Sequence, residues 1–106
     1  MIEKTQELVV LFDIYGCLLT SKQQEIMNYY YEEDFSLSEI AETLEISRAA
    51  VLDHLKRSSK ILEDYEKKLH LVEKYDTRSK LYDKIKEEAN AQIVELVENL
   101  EQIENM

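Results

Sequence analysis

Two amphipathic segments joined by a short turn occupy residues 35–60, which read FSLSEIAETLEISRAAVLDHLKRSSK. Their apolar residues recur at helical spacing on both sides of the turn: Ile40, Ala41, Leu44, Ile46, Val51 and Leu55. The small side chain of Ala41 suits the point where two helices cross, because a larger one would hold them apart. The pattern predicts a helix-turn-helix, in which two helices meet at a steep angle.

Capping signals set the boundaries of these two helices. Ser36 and Glu39, three residues apart, form a capping box that predicts the first helix of the motif at about residues 37–44. Residues 45–47 form the predicted turn, and Ser47 is the predicted N-cap of the second helix. Glu45 stands where such turns often carry glycine, because the backbone there has a positive φ.

Two further helices are predicted upstream of the motif. Apolar residues cluster on one side of residues 2–15, beginning with Ile2, and Gly16 follows where a helix can end in the left-handed conformation. Thr20 and Gln23 then form another capping box, which predicts a helix running to about residue 31.

The second half of the chain predicts two long helices. A 4,3 alternation extends the second helix of the motif to about residue 74, through Val51, Leu55, Ser58, Leu62, Tyr65, Leu69 and Val72. Asp76 and Thr77 predict a break, and a second stripe predicts a helix at about 77–104. The two could form an antiparallel hairpin, or the last helix could lie against the N-terminal helix or a second copy of the chain. The candidate dimer or partner surface consists of Leu81, Ile85, Ile93, Leu96, Leu100 and Ile103.

Composition supports an all-α fold. The 106 residues include no proline and one glycine, so the tight turns of a sheet protein of this size are absent. The length predicts a single all-helical domain, with a helix-turn-helix core at residues 17–60 and a long C-terminal helical extension at 61–106.

Several classes of function have little support in the sequence. One cysteine excludes an intramolecular disulfide and a cysteine-cluster zinc site. His54 and His70 are 16 residues apart, and no glycine-rich phosphate loop or nucleophile motif is present. We therefore expect a protein that is not an enzyme and needs no cofactor or metal. No segment approaches membrane-spanning length and the N-terminus lacks a signal-peptide pattern, so a cytoplasmic location is expected.

Charge is strongly polarised along the motif. The whole chain has a formal net charge of −10, the opposite of a typical free-standing nucleic-acid binder. Residues 48–60 nevertheless carry four cations against one carboxylate, whereas residues 32–45 carry six carboxylates and no cation. The adjacent helices would therefore present a basic surface on an acidic body.

The basic segment supplies candidate nucleic-acid contacts. In a groove-reading helix the N-terminal residues reach base edges and later cations hold phosphates. The candidate readers are Ser47, Arg48, Ala49, Ala50, Asp53 and His54, and the candidate phosphate anchors are Lys56, Arg57 and Lys60. Only Arg48 is a strong base-reading type, and Asp53 repels phosphate. The motif could equally be a structural or protein-docking unit.

Two known groups of proteins resemble this sequence. Residues 19–62, with Leu19-Thr20, Glu39-Ile40-Ala41 and Ile46-Ser47-Arg48, resemble the region-4 helix-turn-helix of sigma factors. The whole chain is similar to the YlxM-type family, through LFDIYGCLLTSKQQEIMNYYYEEDFSLSEIAE and ISRAAVLDHLKRSSKILEDYEKKL. Members of that family are acidic, helical proteins encoded beside genes of the signal recognition particle. The resemblance implies a regulatory or accessory role in that protein-targeting pathway, in contact with its GTPase or its RNA.

Overall fold

The computed structural model describes residues 6–105. Within this range six α-helices and one 3-10 turn follow one another: α1 Gln6–Tyr15, the turn Gly16–Leu18, α2 Ser21–Tyr31, α3 Leu37–Leu44, α4 Arg48–Leu69, α5 Leu71–Glu88 and α6 Ala91–Glu104. The described part of the chain has no strand, so the all-α prediction is confirmed. Ile2, which the sequence assigns to the first helix, lies outside the described residues.

Both predicted capping boxes form. In the box at the start of α3, the Ser36 hydroxyl accepts the Glu39 backbone N–H at 3.1 Å, and the Glu39 carboxylate accepts the Ser36 N–H at 3.1 Å. Thr20 and Gln23 make the same reciprocal pair at the start of α2, at 3.2 and 3.1 Å. The starts of α2 and α3 are therefore determined by residues three positions apart.

The turn of the helix-turn-helix is built around a left-handed residue. Glu45 has φ 57° and ψ 42°, and the following Ile46 N–H donates to the Ala41 carbonyl at 3.1 Å. The Ser47 hydroxyl then accepts the Ala50 N–H at 3.0 Å, which confirms Ser47 as the N-terminal cap of α4. The turn therefore places Glu45, a residue with a Cβ, in the left-handed conformation that glycine adopts most easily.

Glu45→Gly is expected to stabilise the fold by up to about 1 kcal/mol, because glycine adopts the left-handed conformation without the steric cost that a side chain incurs. Chemical denaturation measures the free energy of unfolding. Glu42→Gly is the matched control, since the same change inside α3 removes helix propensity and should destabilise by a similar amount. Equal destabilisation by both substitutions would contradict the assigned turn.

Backbone contacts divide the chain into two compact units, Met1–Leu69 and His70–Met106. In the first unit α4 is central, because α1, α2 and α3 all pack against it. The fully buried side chains of the first unit are Tyr15, Ile26, Met27, Ile40, Val51, Leu55, Ser58 and Leu62. The Tyr15 hydroxyl donates to the Glu66 carboxylate at 2.6 Å and so joins the end of α1 to α4. The single-domain organisation inferred from chain length stays a prediction.

The second unit is an antiparallel pair, α5 and α6. Arg78 of α5 pairs with Glu104 of α6 at 2.7 Å, and Lys86 pairs with Glu101 at 2.7 Å. From the first ion pair to the second, the residue number rises from 78 to 86 in α5 and falls from 104 to 101 in α6. The two helices therefore run in opposite directions.

The predicted boundaries of the long helices were wrong. The helix predicted at 48–74 ends at Leu69, and His70 interrupts it with φ 56° in the left-handed region. The break predicted at Asp76 does not occur. The helix α5 continues through this residue, and Asp76 pairs with Lys80 one turn later at 3.0 Å. The second break lies before α6, where the Asn90 side chain accepts the Ile93 N–H at 3.0 Å. The second half of the chain therefore contains a hairpin of α5 with α6.

Candidate nucleic-acid interface

The candidate site follows the N-terminal half of α4. Ser47, Arg48, Ala49, Asp53, Lys56, Arg57 and Lys60 are exposed, whereas Ala50 and His54 are half-buried. The opposite side of the same helix carries Val51, Leu55 and Leu62, which are fully buried. The core therefore fixes which side of α4 faces solvent, and it holds the candidate contacts on a rigid element.

Five of the candidate residues share one side of α4. Ala49, Asp53, Lys56, Arg57 and Lys60 follow at steps of four, three, one and three residues, which is the spacing of one helical side. We call these five residues the basic face. Its charge comes from three cations around one carboxylate.

Arg48 stands apart from the basic face. It is the first residue of α4, and five residues separate it from Asp53. At 3.6 residues per turn it points about 140° around the axis from Asp53. The strongest base-reading side chain therefore borders the basic face and does not lie within it.

Ion pairs within α4 reduce the positive potential of the basic face. Arg57 pairs with Asp53 at 2.7 Å, and both side chains are 62% exposed. Lys60 approaches Asp64 at 3.9 Å, also near the surface. Exposed pairs of this kind contribute little to stability, so a phosphate could displace the carboxylate at small cost.

The sequence reasoning missed one cation that extends this side of α4. Lys67 is exposed and lies seven residues after Lys60, which places it two turns further along the same side. The 53, 60, 67 spacing was available in the sequence. The predicted contacts end at Lys60, where the helix-turn-helix segment ends.

The neighbouring surface is acidic. The six carboxylates between α2 and the turn after α3 are all exposed: Glu32, Glu33, Asp34, Glu39, Glu42 and Glu45. The basic surface beside the acidic one gives the first unit an uneven distribution of charge, although its formal net charge is negative. Such a distribution can orient an approaching polyanion toward α4.

Comparison with known proteins assigns the family. A family model described as "Putative helix-turn-helix protein, YlxM / p13 like" matches residues 2–103. The chain belongs to this family. It is 46% identical over 108 residues to the UPF0122 protein YlxM of Bacillus subtilis (strain 168), covering 97% of this chain and 98% of that protein. It is 51% identical over 84 residues to a UPF0122 protein of Streptococcus mutans, covering 79% and 76% of the two chains.

Family membership confirms the YlxM-type resemblance and agrees with the helix-turn-helix geometry of α3 and α4. The family description names a motif and no reaction. Within residues 6–105, no three His, Cys, Asp or Glu side chains are arranged to hold a metal ion. Over the same residues, no helix combines the length and apolar character needed to cross a membrane.

Proposed function

We propose that this protein is a non-enzymatic regulatory or accessory factor of the signal recognition particle pathway. It acts in the cytoplasm and contacts the particle's RNA or its GTPase. The pathway comes from the YlxM-type resemblance. The mode of contact comes from the molecule, in which α4 offers a basic face beside an acidic body.

One observation carries this proposal: the basic face is exposed on a helix whose other side is the core of the first unit. Lys56, Arg57 and Lys60 can each reach a phosphate without any rearrangement of α4. Two features of this surface count against sequence-specific recognition of DNA. Asp53 lies at its centre, and alanine occupies two of the reading positions. The alanines disfavour base-specific readout and so favour recognition of a backbone shape, as in structured RNA, whereas Asp53 repels phosphate and weakens the contact.

Fluorescence anisotropy with the intact chain tests the RNA contact. The probes are the labelled RNA of the particle and a mixed-sequence DNA duplex of similar length, titrated across a range of salt. About three phosphate contacts give a slope of log K against log salt near −2 to −3. We expect RNA to bind at least ten times more tightly than DNA. Absence of binding to either probe at low salt would remove the nucleic-acid contact.

A nuclease-treated pull-down tests the protein contact. If the GTPase of the particle remains bound after RNA is destroyed, the contact is a direct protein interaction. Loss of every particle component after nuclease treatment would contradict a direct protein contact and leave the RNA version alone.

A DNA-binding transcriptional regulator is the second candidate function. It is favoured by Arg48 at the N-terminus of α4, the position from which a recognition helix reaches base edges. The anisotropy experiment separates the two functions, since a regulator would bind a subset of DNA sequences more tightly than the particle's RNA.

A further inference from the structure

Six large apolar side chains of the second unit are exposed together. They are Leu81 at 53%, Ile85 at 44%, Ile93 at 42%, Leu96 at 63%, Leu100 at 46% and Ile103 at 63%. We call these six residues the hairpin face. Single exposed apolar residues are ordinary on a protein surface, whereas six on one pair of helices are not.

The hairpin does not bury this stripe in its own interior. The contact between α5 and α6 includes two ion pairs, Arg78 with Glu104 and Lys86 with Glu101. Val97 is the one described hydrophobic residue of this unit that is buried. The six Leu and Ile side chains of the hairpin face therefore remain 42–63% exposed when α5 and α6 pair.

The spacing places all six residues on the same side of the hairpin. Each is followed in the sequence by a residue that is half-buried or buried: Tyr82, Lys86, Val94, Val97, Glu101 and Glu104. Two antiparallel helices are related by a two-fold axis perpendicular to the plane of their axes. The residue directly before an inward-facing residue therefore lies on the same side of that plane in both helices.

We propose that the hairpin face is covered by the hairpin face of a second copy of this chain, giving a closed dimer with two-fold symmetry. The first unit offers no comparable surface, because its exposed large hydrophobic residues among residues 6–69 are Leu18 and Leu69. Within the described chain, no other apolar surface matches the hairpin face in size, so the matching surface is the hairpin face of a second copy. An isologous contact between two copies satisfies this match.

The size of the hairpin face suits such a contact. Six half-exposed Leu and Ile side chains present on the order of 500 Å² of apolar surface, in the range that marks an interaction site on a soluble protein. A stable interface buries about 800 Å² on each partner, so a polar rim of ordinary extent completes it.

Charge favours a self-complementary arrangement. α6 carries four glutamates and no cation, whereas α5 carries five cations, Lys74, Arg78, Lys80, Lys84 and Lys86, with five carboxylates. A two-fold axis that lays α6 of each copy against α5 of the other places the acidic helix opposite a helix with no net formal charge. The alternative contact of α6 with α6 would oppose two wholly acidic helices.

Sedimentation equilibrium of the intact chain measures the assembly directly. The wild-type protein is expected to show twice the 12.6 kDa mass of one chain at high micromolar concentration and no larger species. Leu96→Asp is expected to raise the dimer dissociation constant at least tenfold, because it places a carboxylate at the centre of the apolar contact. Leu18→Asp is the matched control, since Leu18 is 51% exposed in the first unit and should leave dimerisation unchanged.

Leu96→Ala keeps helix propensity and protects the test against simple unfolding of α6. It should weaken the dimer in the same direction by a smaller factor, with unchanged circular dichroism. A wild-type chain that stays monomeric at high concentration overturns the proposal. Masses that keep growing beyond two chains overturn the closed symmetry. The wild type could instead be monomeric and capture another protein that the Leu96→Asp variant does not capture. That result assigns the hairpin face to this partner and overturns self-association.

Discussion

Leu55→Ala is expected to lower the free energy of unfolding of the first unit by about 2–5 kcal/mol. Leu55 is fully buried on α4, the helix against which α1, α2 and α3 pack. Its truncation removes apolar contacts and leaves a void that helices held by capping and cross-helix bonds cannot fully close. A small domain has about 5–15 kcal/mol of stability, so the loss is a large part of the total.

Urea denaturation followed by far-ultraviolet circular dichroism measures this loss. Leu18→Ala is the matched control, because the same change at an exposed leucine should alter stability by less than about 0.5 kcal/mol. A loss below about 1 kcal/mol for Leu55→Ala would show that α4 is not the centre of the core. The basic face would then no longer rest on a rigid support.

Local signals made the first unit predictable. The N-termini of α2, α3 and α4 depend on side chains within three residues of the helix start, so sequence alone places them. The buried side of α4 follows from apolar spacing, and the exposure of Lys56, Arg57 and Lys60 follows from the same periodicity. The pairing of Arg57 with Asp53 has the right i, i+4 spacing, but its formation depends on rotamers that spacing does not determine.

The second unit shows where local reasoning fails. The 4,3 stripe continues through His70, so nothing in the spacing marks the break there. A left-handed histidine costs about 1 kcal/mol, and the structure surrounding the residue must offset that cost. At Asp76 two local rules compete, because an aspartate can cap a helix or pair with a lysine one turn later. In the structure α5 continues through Asp76, which pairs with Lys80.

The sequence left open whether the Leu and Ile stripe packs within a hairpin or forms a surface for a second copy. A Leu and Ile stripe usually predicts the contact between neighbouring helices. Lys86, Glu101 and Glu104, which form ion pairs between α5 and α6, each lie one residue after a member of this stripe. A shift of one residue turns an apolar side away from the helix pair by about 100°. The sequence therefore located the stripe correctly, while its direction depended on which charged residues found partners.

Replacing both Arg48 and Arg57 by alanine is expected to weaken binding to the particle's RNA at least tenfold and to reduce the magnitude of the salt slope by about one, because Arg57 is one of the three proposed phosphate contacts and Arg48 is a proposed base reader. Arg57 lies on the basic face, and Arg48 borders it at the start of α4. Both side chains are exposed, so their loss should leave the fold intact. Anisotropy across a range of salt gives the affinity and the slope together.

Two further variants make this prediction specific to α4. Lys22→Ala with Lys80→Ala removes the same total charge from α2 and α5, and should change the RNA affinity far less than the arginine pair. Asp53→Asn should strengthen binding, because it removes the carboxylate that pairs with Arg57 and repels phosphate. Equal weakening by the lysine pair would show a response to net charge alone. Weakening by Asp53→Asn would show that the polyanion does not bind at the basic face.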